Sequence, residues 1–337
     1  MFVLPRVRAR LFVRLAAIGA LAVLAFAPAA GAAKIGSRYL ALGDTLAWGF
    51  HQAQFEEELA KGEGTCVLGK CIQPATFKDG YVDDFGAALK LFHPSLQVIN
   101  DGCPGETTET LINGPGETPI TGASPPYTNL ACAAGPGEQP FPLDWLHHPY
   151  TPSENGSQLS DALAILKAHP NVSPITLDIG SDDLTDFLGR ECGFPTKFTC
   201  TEKQVDEEIE QIAANVYKIL RELRSAAPRA QIVLLGLYNP YPSVLKPEGT
   251  GDKLVAAFNA AQASAAAKVS GASFANPEPL FNPSLITGKP EASDLRTICA
   301  FTAMCPGGTF SVQGDFHPSK LGYGVLAGVL GFAFITH

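Results

Sequence analysis

Four short segments of the sequence carry groups suited to acyl transfer. Thr45 follows a short apolar run, and its hydroxyl would lie on a tight strand-to-helix turn. His317 could accept the proton of that hydroxyl, while Asp315, two residues earlier, orients the imidazole. The backbone N–H groups of Thr45 and Gly105 could donate hydrogen bonds to the tetrahedral oxyanion. These groups predict nucleophilic catalysis by a hydroxyl, although a lone histidine before a proline is more often a structural cap.

The remaining segment adds carboxylates and leaves a second interpretation open. It contains Asp182 and Asp183, close behind an apolar run that ends at Ile179. Together with Asp44, these two aspartates could hold a divalent cation, because hard cations prefer carboxylate oxygens as ligands. Solvated or helix-capping carboxylates are the simpler interpretation, so no metal site is predicted.

The other histidines are weaker candidates for catalysis. The pair His147–His148 lies in a segment rich in Pro and Gly, and it is predicted to be a surface feature. The rest stand alone in loops or at the chain end: His51, His93, His169 and His337.

Short apolar runs alternate with amphipathic segments, which is the pattern of an α/β fold with a buried parallel sheet. In open α/β sheets, ligands bind beyond the carboxyl ends of the strands, so most of the chemical segments fall where a site is expected. The strand candidates are Tyr39–Leu42, Gln97–Asn100, Pro174–Ile179 and Gln231–Gly236, with a weaker fifth at Ala272–Ala275.

Helices are predicted between these strands. Thr201 to Gln204 is typical of a capping box, and Pro228 would end the helix that follows. Further helices are predicted at residues 157–168 and 253–270, and a last one at 325–335. One face of the helix after Thr201 would be buried, because its apolar residues recur at helical spacing: Val205, Ile209, Ile212, Val216, Ile219, Leu220 and Leu223.

One segment interrupts this alternation. Residues 113–156 are dense in Pro and Gly and have no periodicity, and so long a loop in a compact domain is generally functional or mobile. The segment contains Trp145 and the two adjacent histidines. A lid over the site and a disulfide-stapled insertion without a role in catalysis are both open interpretations.

The first 32 residues are typical of a secretory signal peptide. A basic head is followed by the apolar run Leu15–Ala27 and by a small-residue cleavage site, Ala30-Gly31-Ala32. The run is shorter than the roughly 20 residues that span a bilayer. We therefore expect an exported protein in which residues 33–337 form one domain. The head contains arginines but no acid: Arg6, Arg8, Arg10 and Arg14.

Composition and charge exclude several classes of protein. Hydrophobic residues make up 46% of the chain and charged residues 17%, which argues against intrinsic disorder. The formal net charge of −9 becomes −13 when the four arginines of the leader are removed. Such acidity argues against nucleic acid or an anionic membrane as a partner, because both attract lysine and arginine.

Export changes how the 8 cysteines are interpreted. In an oxidising compartment they indicate disulfides rather than metal binding or catalysis. A zinc site is disfavoured because no pair has the Cys-x₂-Cys spacing. Order along the chain favours local pairs: Cys66 with Cys71, Cys103 with Cys132, Cys192 with Cys200, and Cys299 with Cys305.

The four chemical segments together resemble those of the GDSL, or SGNH, hydrolase family, across nearly the whole exported chain. The resemblance implies a flavodoxin-like three-layer α/β/α sandwich with a parallel sheet, which is the SGNH hydrolase fold. It also implies an esterase or lipase without a cofactor. The similar blocks are Tyr39–Gly49 for the nucleophile, Cys103–Thr108 for the oxyanion glycine, Ile175–Leu184 for the family's asparagine, and Asp315–Tyr323 for the Asp/His pair.

Three positions depart from the family's pattern. Thr45 stands where the family has a serine, and its added methyl group stiffens χ1 and crowds the oxygen. Asp182 stands where the family has an oxyanion-hole asparagine, whose loss as a donor costs about 2.7–4 kcal/mol. An ionised carboxylate there would also repel the developing charge. Many members have the aspartate three residues before the histidine, where this chain has Gly314, so Asp315 is the expected orienting carboxylate.

These observations predict a secreted carboxylic-ester hydrolase that forms an acyl-enzyme on Thr45. Its oxyanion hole would comprise Thr45, Gly105 and the Asp182 position. The expected substrate is a small-molecule or lipid ester, the mature form would have no membrane span, and the protein would be a monomer. The alternative is a catalytically degenerate protein of the same fold that serves as an extracellular binding or scaffold protein.

Overall fold

The computed structural model describes residues 35–67, 69–114, 141–149, 156–194, 198–242, 250–287 and 292–337. The predicted signal peptide, Cys132 and most of the 113–156 segment lie outside these residues. The strands are β1 (Arg38–Gly43), β2 (Thr65–Val67), β3 (Lys70–Ile72), β4 (Gln97–Asn100), β5 (Val172–Asp178), β6 (Ile232–Leu235), β7 (Ala272–Ala275), β8 (Thr302–Ala303) and β9 (Asp315–Pro318).

The helices that flank these strands vary from a single turn to seven turns in length. They are α1 (Thr45–Trp48), α2 (Gln52–Lys61), α3 (Tyr81–Lys90), α4 (Thr108–Asn113), α5 (Gln158–Ala168), α6 (Ser181–Arg190), α7 (Glu202–Ala226), α8 (Thr250–Ala267), α9 (Glu278–Phe281), α10 (Ser284–Thr287), α11 (Ala292–Phe301) and α12 (Lys320–Thr336).

A five-stranded sheet forms the centre of the molecule, with the order β4-β1-β5-β6-β7. All of its neighbouring strands are parallel, so the predicted parallel sheet and its five strands are confirmed. In the register of the sheet, Ala41 lies opposite Asn100, and Gly43 lies opposite Asp178. The segments that follow β1, β4 and β5 therefore meet at one edge of the sheet.

Helices cover both faces of the sheet, which confirms the three-layer α/β/α sandwich. Alternate residues of β1 separate the two cores: Leu40 and Leu42 pack in one, while Tyr39 and Ala41 pack in the other. The first core also contains apolar residues of α5, α7 and α8. The second contains those of α3 and α12. The central strands β1, β5 and β6 are thus buried on both faces, which is why their sequences lack a polar alternation.

The longest helix, α7, follows the sequence pattern closely. Thr201 accepts a hydrogen bond from the backbone N–H of Gln204, and the Gln204 side chain bonds back to Thr201, so the capping box is confirmed. The residues that the helix buries are the seven that the apolar spacing predicts. The predicted helix at 253–270 was wrong in its bounds, because α8 begins at Thr250 and ends at Ala267.

Disulfides staple the loops as expected. The pairs Cys66–Cys71, Cys192–Cys200 and Cys299–Cys305 are confirmed. Cys103 is buried after β4, whereas its predicted partner Cys132 lies outside the described residues.

The described part of the 113–156 segment packs on the domain. A short 3₁₀ helix covers Leu143–Trp145, and Trp145 is buried against Trp48 and Phe141. The Trp48 indole N–H donates to the carbonyl of Trp145 over 3.1 Å. This part of the segment is therefore a packed element, and a lid function remains a prediction for the rest.

Gly43 offers a test of how closely β1 approaches β5. Its φ is +141°, and a Cβ at this position would lie 2.5 Å from Asp178 Oδ1. Gly62, at the end of α2, also has a positive φ, of +66°, but nothing lies within 4 Å of a Cβ there. Gly62→Ala should lower the free energy of unfolding by about 1–2 kcal/mol through backbone strain alone. Gly43→Ala should cost roughly 1–3 kcal/mol more, because atoms of β5 must also move.

Urea unfolding of both glycine variants beside the wild type measures the difference. Equal losses in the two variants would contradict the close packing of Gly43 on Asp178.

Candidate active site

Thr45 begins the turn that follows β1. Thr45 is partly exposed, whereas all the other residues from Tyr39 to Phe50 are buried. It is the first residue of α1, so its backbone N–H has no acceptor within that helix. Asp44 caps the turn by accepting a hydrogen bond from the N–H of Leu46 over 3.0 Å. The Thr45 hydroxyl therefore faces the carboxyl edge of the sheet from a rigid backbone.

Gly105 lies beside this hydroxyl. The backbone N–H of Gly105 donates to Thr45 Oγ1 over 3.3 Å. Gly105 has a φ of +82°, a conformation that favours glycine, and it directs the N–H of the loop after β4 toward Thr45. The structure thus brings together the predicted nucleophile and one predicted oxyanion donor.

The predicted base and its carboxylate are also in contact. Asp315 Oδ1 lies 2.5 Å from His317 Nδ1 and accepts the His317 backbone N–H over 3.0 Å. Burial raises the pKa of Asp315, but the hydrogen bond and the charge of His317 outweigh it, so the net pKa is lowered. Asp315 is therefore an anion that holds Nδ1, which leaves Nε2 as the imidazole nitrogen available for proton transfer.

Residues 50–52 connect these two halves of the site. The N–H of Phe50 donates to the carbonyl of Thr45 over 3.2 Å, and the Phe50 ring packs on the His317 ring at 4.8 Å. Two residues later, the N–H of Gln52 donates to Asp315 Oδ2 over 3.2 Å. Among the described contacts the Thr45 hydroxyl makes no hydrogen bond to His317. Catalytic hydrogen bonds are often loose before substrate binds, and the shared segment sets the spacing of the two residues.

Asp182 lies on the first turn of α6, between two residues that bind the other loops of the site. Ser181 donates its hydroxyl to Asp44, beside Thr45. Asp183 accepts the N–H of Thr108 over 2.8 Å, and Thr108 follows Gly105 in the same loop. Asp182 is partly buried between these anchors. The sequence segment that carries Asp182 therefore reaches the same edge of the sheet as Thr45 and Gly105.

A buried pair of carboxyl groups supports the Thr45 turn. Asp44 and Asp178 are 1% and 2% exposed and share a hydrogen bond between their side chains. Burial raises the pKa of both, and their mutual repulsion raises that of Asp178 further. Asp178 Oδ2 also accepts the N–H groups of Asp44 and Ala47, over 3.3 and 3.2 Å, while Oδ1 accepts the hydroxyl of Tyr81. Asp178 thereby fixes the backbone on both sides of Thr45.

Glu106 and Gln158 hold the end of β1 to the loop that carries Gly105. The Gln158 amide accepts the N–H of Gly43 over 2.6 Å and donates to its carbonyl over 2.9 Å. It also donates to Glu106 Oε2 over 3.1 Å. Burial is the main cause that raises the pKa of Glu106 from 4.5 to about 8. Neither residue was predicted, and nothing in the local sequence distinguishes Gln158 from other polar residues at a helix start.

The prediction that the pair His147–His148 is a surface feature was wrong for His147, whose pKa is lowered by burial, whereas 41% of the His148 side chain is exposed. His147 Nε2 lies 2.9 Å from the carbonyl of Trp48, and its ring packs on the Trp48 ring at 5.3 Å. His148 Nδ1 lies 2.8 Å from the buried Asp101. Both histidines therefore hold the segment 141–149 against the domain.

The hypothetical cation site at Asp44, Asp182 and Asp183 gains no support. Asp44 is engaged with Asp178 and Ser181, whereas Asp183 binds Thr108. Within the described ranges these three aspartates are not a group with convergent ligand atoms. No helix in the described part of the chain is long and apolar enough to cross a membrane.

Glu106 should leave a signature in the pH dependence of stability. The pKa of Glu106 is raised on folding, so between about pH 5 and pH 8 the native protein keeps a proton that the unfolded chain has already released. The wild type should therefore lose stability relative to Glu106→Gln as the pH rises through this window. Urea unfolding of both proteins at pH 5, 6.5 and 8 measures this difference. A difference independent of pH, as expected for the exposed control Glu222→Gln, would contradict a protonated Glu106.

Several solved structures are similar in fold. The lipase Lip_vut3 from a goat rumen metagenome is 16% identical; the match covers 88% of this chain and 96% of that chain, with a TM-score of 0.48. LAE5, an alpha/beta hydrolase enzyme from the metagenome of Lake Arreo, Spain, is 14% identical, with 89% and 95% covered and a TM-score of 0.47. An extracellular lipase from Streptomyces rimosus is 17% identical, with 88% and 99% covered and a TM-score of 0.46. Comparison with curated proteins gave no match.

A family model gives the decisive similarity. The model of the GDSL-like lipase/acylhydrolase family matches residues 41–325. The match begins within β1, ahead of Thr45, and ends within α12, beyond His317. Since it covers most of the sequence and includes every candidate site residue, this chain belongs to the GDSL-like lipase/acylhydrolase family.

Proposed function

We propose that this protein is an exported carboxylic-ester hydrolase that acts through an acyl-enzyme on Thr45. The observation that carries the proposal is the Asp315–His317 pair, in which Asp315 Oδ1 lies 2.5 Å from His317 Nδ1. The ring of Phe50 packs on the His317 ring and lies between this pair and the Thr45 turn. An anionic carboxylate on Nδ1 stabilises the imidazolium that forms when Nε2 accepts a proton. Membership of a lipase and acylhydrolase family agrees with this chemistry.

The first step forms one bond and breaks another. As Thr45 Oγ1 attacks the ester carbonyl carbon, its proton passes to His317 Nε2. The tetrahedral intermediate then collapses, the alkoxide of the ester leaves, and His317 returns the proton to it. Water repeats the sequence on the acyl-enzyme, with His317 as base, and releases the carboxylic acid and free Thr45.

The oxyanion would be stabilised by two backbone donors. The N–H of Thr45 has no acceptor in its own helix, and the N–H of Gly105 is directed at the Thr45 hydroxyl over 3.3 Å. When a carbonyl carbon bonds to Oγ1, its oxygen lies within reach of the same N–H groups. Fixed backbone donors of this kind need no reorganisation during the reaction.

Asp182 limits this oxyanion hole. If it is ionised, its carboxylate offers no donor and adds negative charge beside the developing oxyanion. We infer that turnover is slow, because Thr45 also restricts its oxygen to the χ1 rotamers that a β-branched side chain allows. Small displacements of an attacking atom can reduce the rate by about a hundredfold.

A binding or scaffold protein with the same cleft is the second candidate function. The contact that favours it is the hydrogen bond from Gly105 N–H to Thr45 Oγ1. This bond occupies the donor that an oxyanion would need. In that case the cleft would bind a ligand without turnover. The three disulfides of the described residues agree with a protein outside the cell in either case.

Nucleophile variants distinguish the two candidates. On p-nitrophenyl acetate and butyrate, the wild type should hydrolyse slowly, and Thr45→Ala and His317→Ala should each lose at least about a hundredfold in kcat/KM. Thr45→Ser should match or exceed the wild type, because it removes only the methyl group that crowds the oxygen. Steady-state rates measured with the disulfide-bonded protein provide the comparison.

Two outcomes would decide against the active enzyme. Either hydrolysis appears only in Thr45→Ser, or the wild-type rate survives in both alanine variants. Near-ultraviolet circular dichroism of each variant checks that the fold is intact.

The charge at position 182 makes a separate prediction. Asp182→Asn should raise kcat on the same esters, because a neutral amide replaces a carboxylate next to the oxyanion. A donor of this type changes the barrier by about 2.7–4 kcal/mol, so an increase of tenfold or more is expected. Asp186→Asn is the matched control, since Asp186 lies on the next turn of α6 and pairs with Arg190 at the surface. An unchanged rate in Asp182→Asn would show that this side chain does not face the oxyanion.

A further inference from the structure

Three side chains outside the proposed catalytic set converge at the same edge of the sheet. His148 Nδ1 lies 2.8 Å from Asp101 Oδ1 and 3.5 Å from Asp161 Oδ2. One ligand atom from each of the three residues lies within 4.8 Å of the others. Asp101 directly follows β4, Asp161 lies in α5, and His148 belongs to the packed segment 141–149. Three separate parts of the chain thus contribute to one cluster.

The cluster buries more negative than positive charge. Asp101 is 0% exposed and Asp161 is 5% exposed, whereas the His148 side chain is 41% exposed. A protonated His148 supplies one positive charge against two carboxylates. Two buried carboxylates beside an imidazole are groups that divalent transition-metal ions bind.

The ligand set and its spacing fit a transition-metal ion. Neutral imidazole and carboxylate oxygens bind Zn²⁺ at about 2.0–2.2 Å, so two ligands of a tetrahedral site lie about 3.3 Å apart. The two distances from His148 Nδ1, 2.8 and 3.5 Å, lie on either side of this value. Ca²⁺ is a poorer fit, because it requires six to eight oxygen ligands and does not favour imidazole.

We propose that Asp101, His148 and Asp161 form a binding site for one divalent transition-metal ion, for which Zn²⁺ is the best match. His148 binds through Nδ1 in its neutral form, and each aspartate contributes one oxygen. Because the His148 side chain is 41% exposed, water can complete the coordination and the ion can enter from solvent. The site joins the loop after β4, the segment 141–149 and α5, and it holds them together as the disulfides do elsewhere.

The site is independent of the proposed hydrolysis. None of its three ligands takes part in the nucleophile, the base or the oxyanion hole. Its position still has a consequence for them, since Asp101 lies in the loop that carries Gly105, and α5 begins with Gln158. A bound ion would therefore restrain the two elements that hold Gly105 and Gly43 in place.

Direct binding measurements test the site without an activity assay. The disulfide-bonded protein, dialysed against a chelator, should bind one Zn²⁺ per chain in a calorimetric titration with ZnCl₂. Its Tm should rise with Zn²⁺ and rise much less with Mg²⁺ or Ca²⁺. Asp101→Asn, Asp161→Asn and His148→Gln should each weaken Zn²⁺ binding by at least tenfold. His93→Gln, which removes a partly exposed histidine elsewhere, should bind like the wild type.

Crystals of the wild type grown with ZnCl₂ give a second test that needs no variant. An anomalous difference peak within ligand distance of His148 Nδ1 and the two carboxylates is expected. No bound Zn²⁺, or binding that survives both aspartate variants, would overturn the proposal. Anomalous peaks found only at other histidines would do the same. In each of those results the cluster is an ion pair that holds the segment 141–149, and the hydrolase proposal is unaffected.

Discussion

The buried carboxyl pair Asp44 and Asp178 is the constraint on which the active edge of the sheet depends. Burial raises the pKa of both groups, and their mutual repulsion raises that of Asp178 further. Asp178 accepts the N–H groups of Asp44 and Ala47 and so holds the first turn after β1. Tyr81 and Ser181 complete the arrangement from α3 and α6. The position of Thr45 thus follows from the hydrogen bonds of this buried pair as much as from the path of β1.

The same constraint governs the electrostatics of the whole cleft. The chain has an excess of acids, yet burial raises the pKa of Glu106 to about 8 and also raises the pKa of Asp44 and Asp178. Neutral carboxyl groups do not repel a developing oxyanion, so these acids can support the site without opposing its chemistry. Asp182 differs under the proposed function, since from the first turn of α6 it would take the place of the family's asparagine. In that function the cost of acidity would fall on this residue.

Sequence patterns predicted the parts of the structure that depend on local periodicity. The five strands of the sheet, the buried face of α7 and the Thr201 cap are each encoded within a few residues, and three predicted disulfides join cysteines fewer than ten residues apart. The contacts that organise the site are long-range. Gln158 binds Gly43 and His148 contacts Asp101. Because these residues lie far apart in the sequence, no spacing pattern predicts either pair. His147 was misjudged for the same reason, because a polar residue in a Pro/Gly-rich segment gives no sign that Trp48 lies opposite it.

Under the proposed function, one torsion angle and one charge, χ1 of Thr45 and the carboxylate of Asp182, would separate a working hydrolase from a binding protein. Asp178 fixes the backbone before and after Thr45, and Phe50 couples that backbone to the His317 ring. In the proposed hydrolase, χ1 of Thr45 would decide whether the oxygen points toward the imidazole, whereas in the structure this oxygen accepts the N–H of Gly105. A β-branched side chain has few χ1 states, so the choice is between discrete positions and not a gradual drift. A substrate carbonyl that competes for the Gly105 N–H would shift that choice toward His317, which makes substrate binding itself the step that prepares the nucleophile.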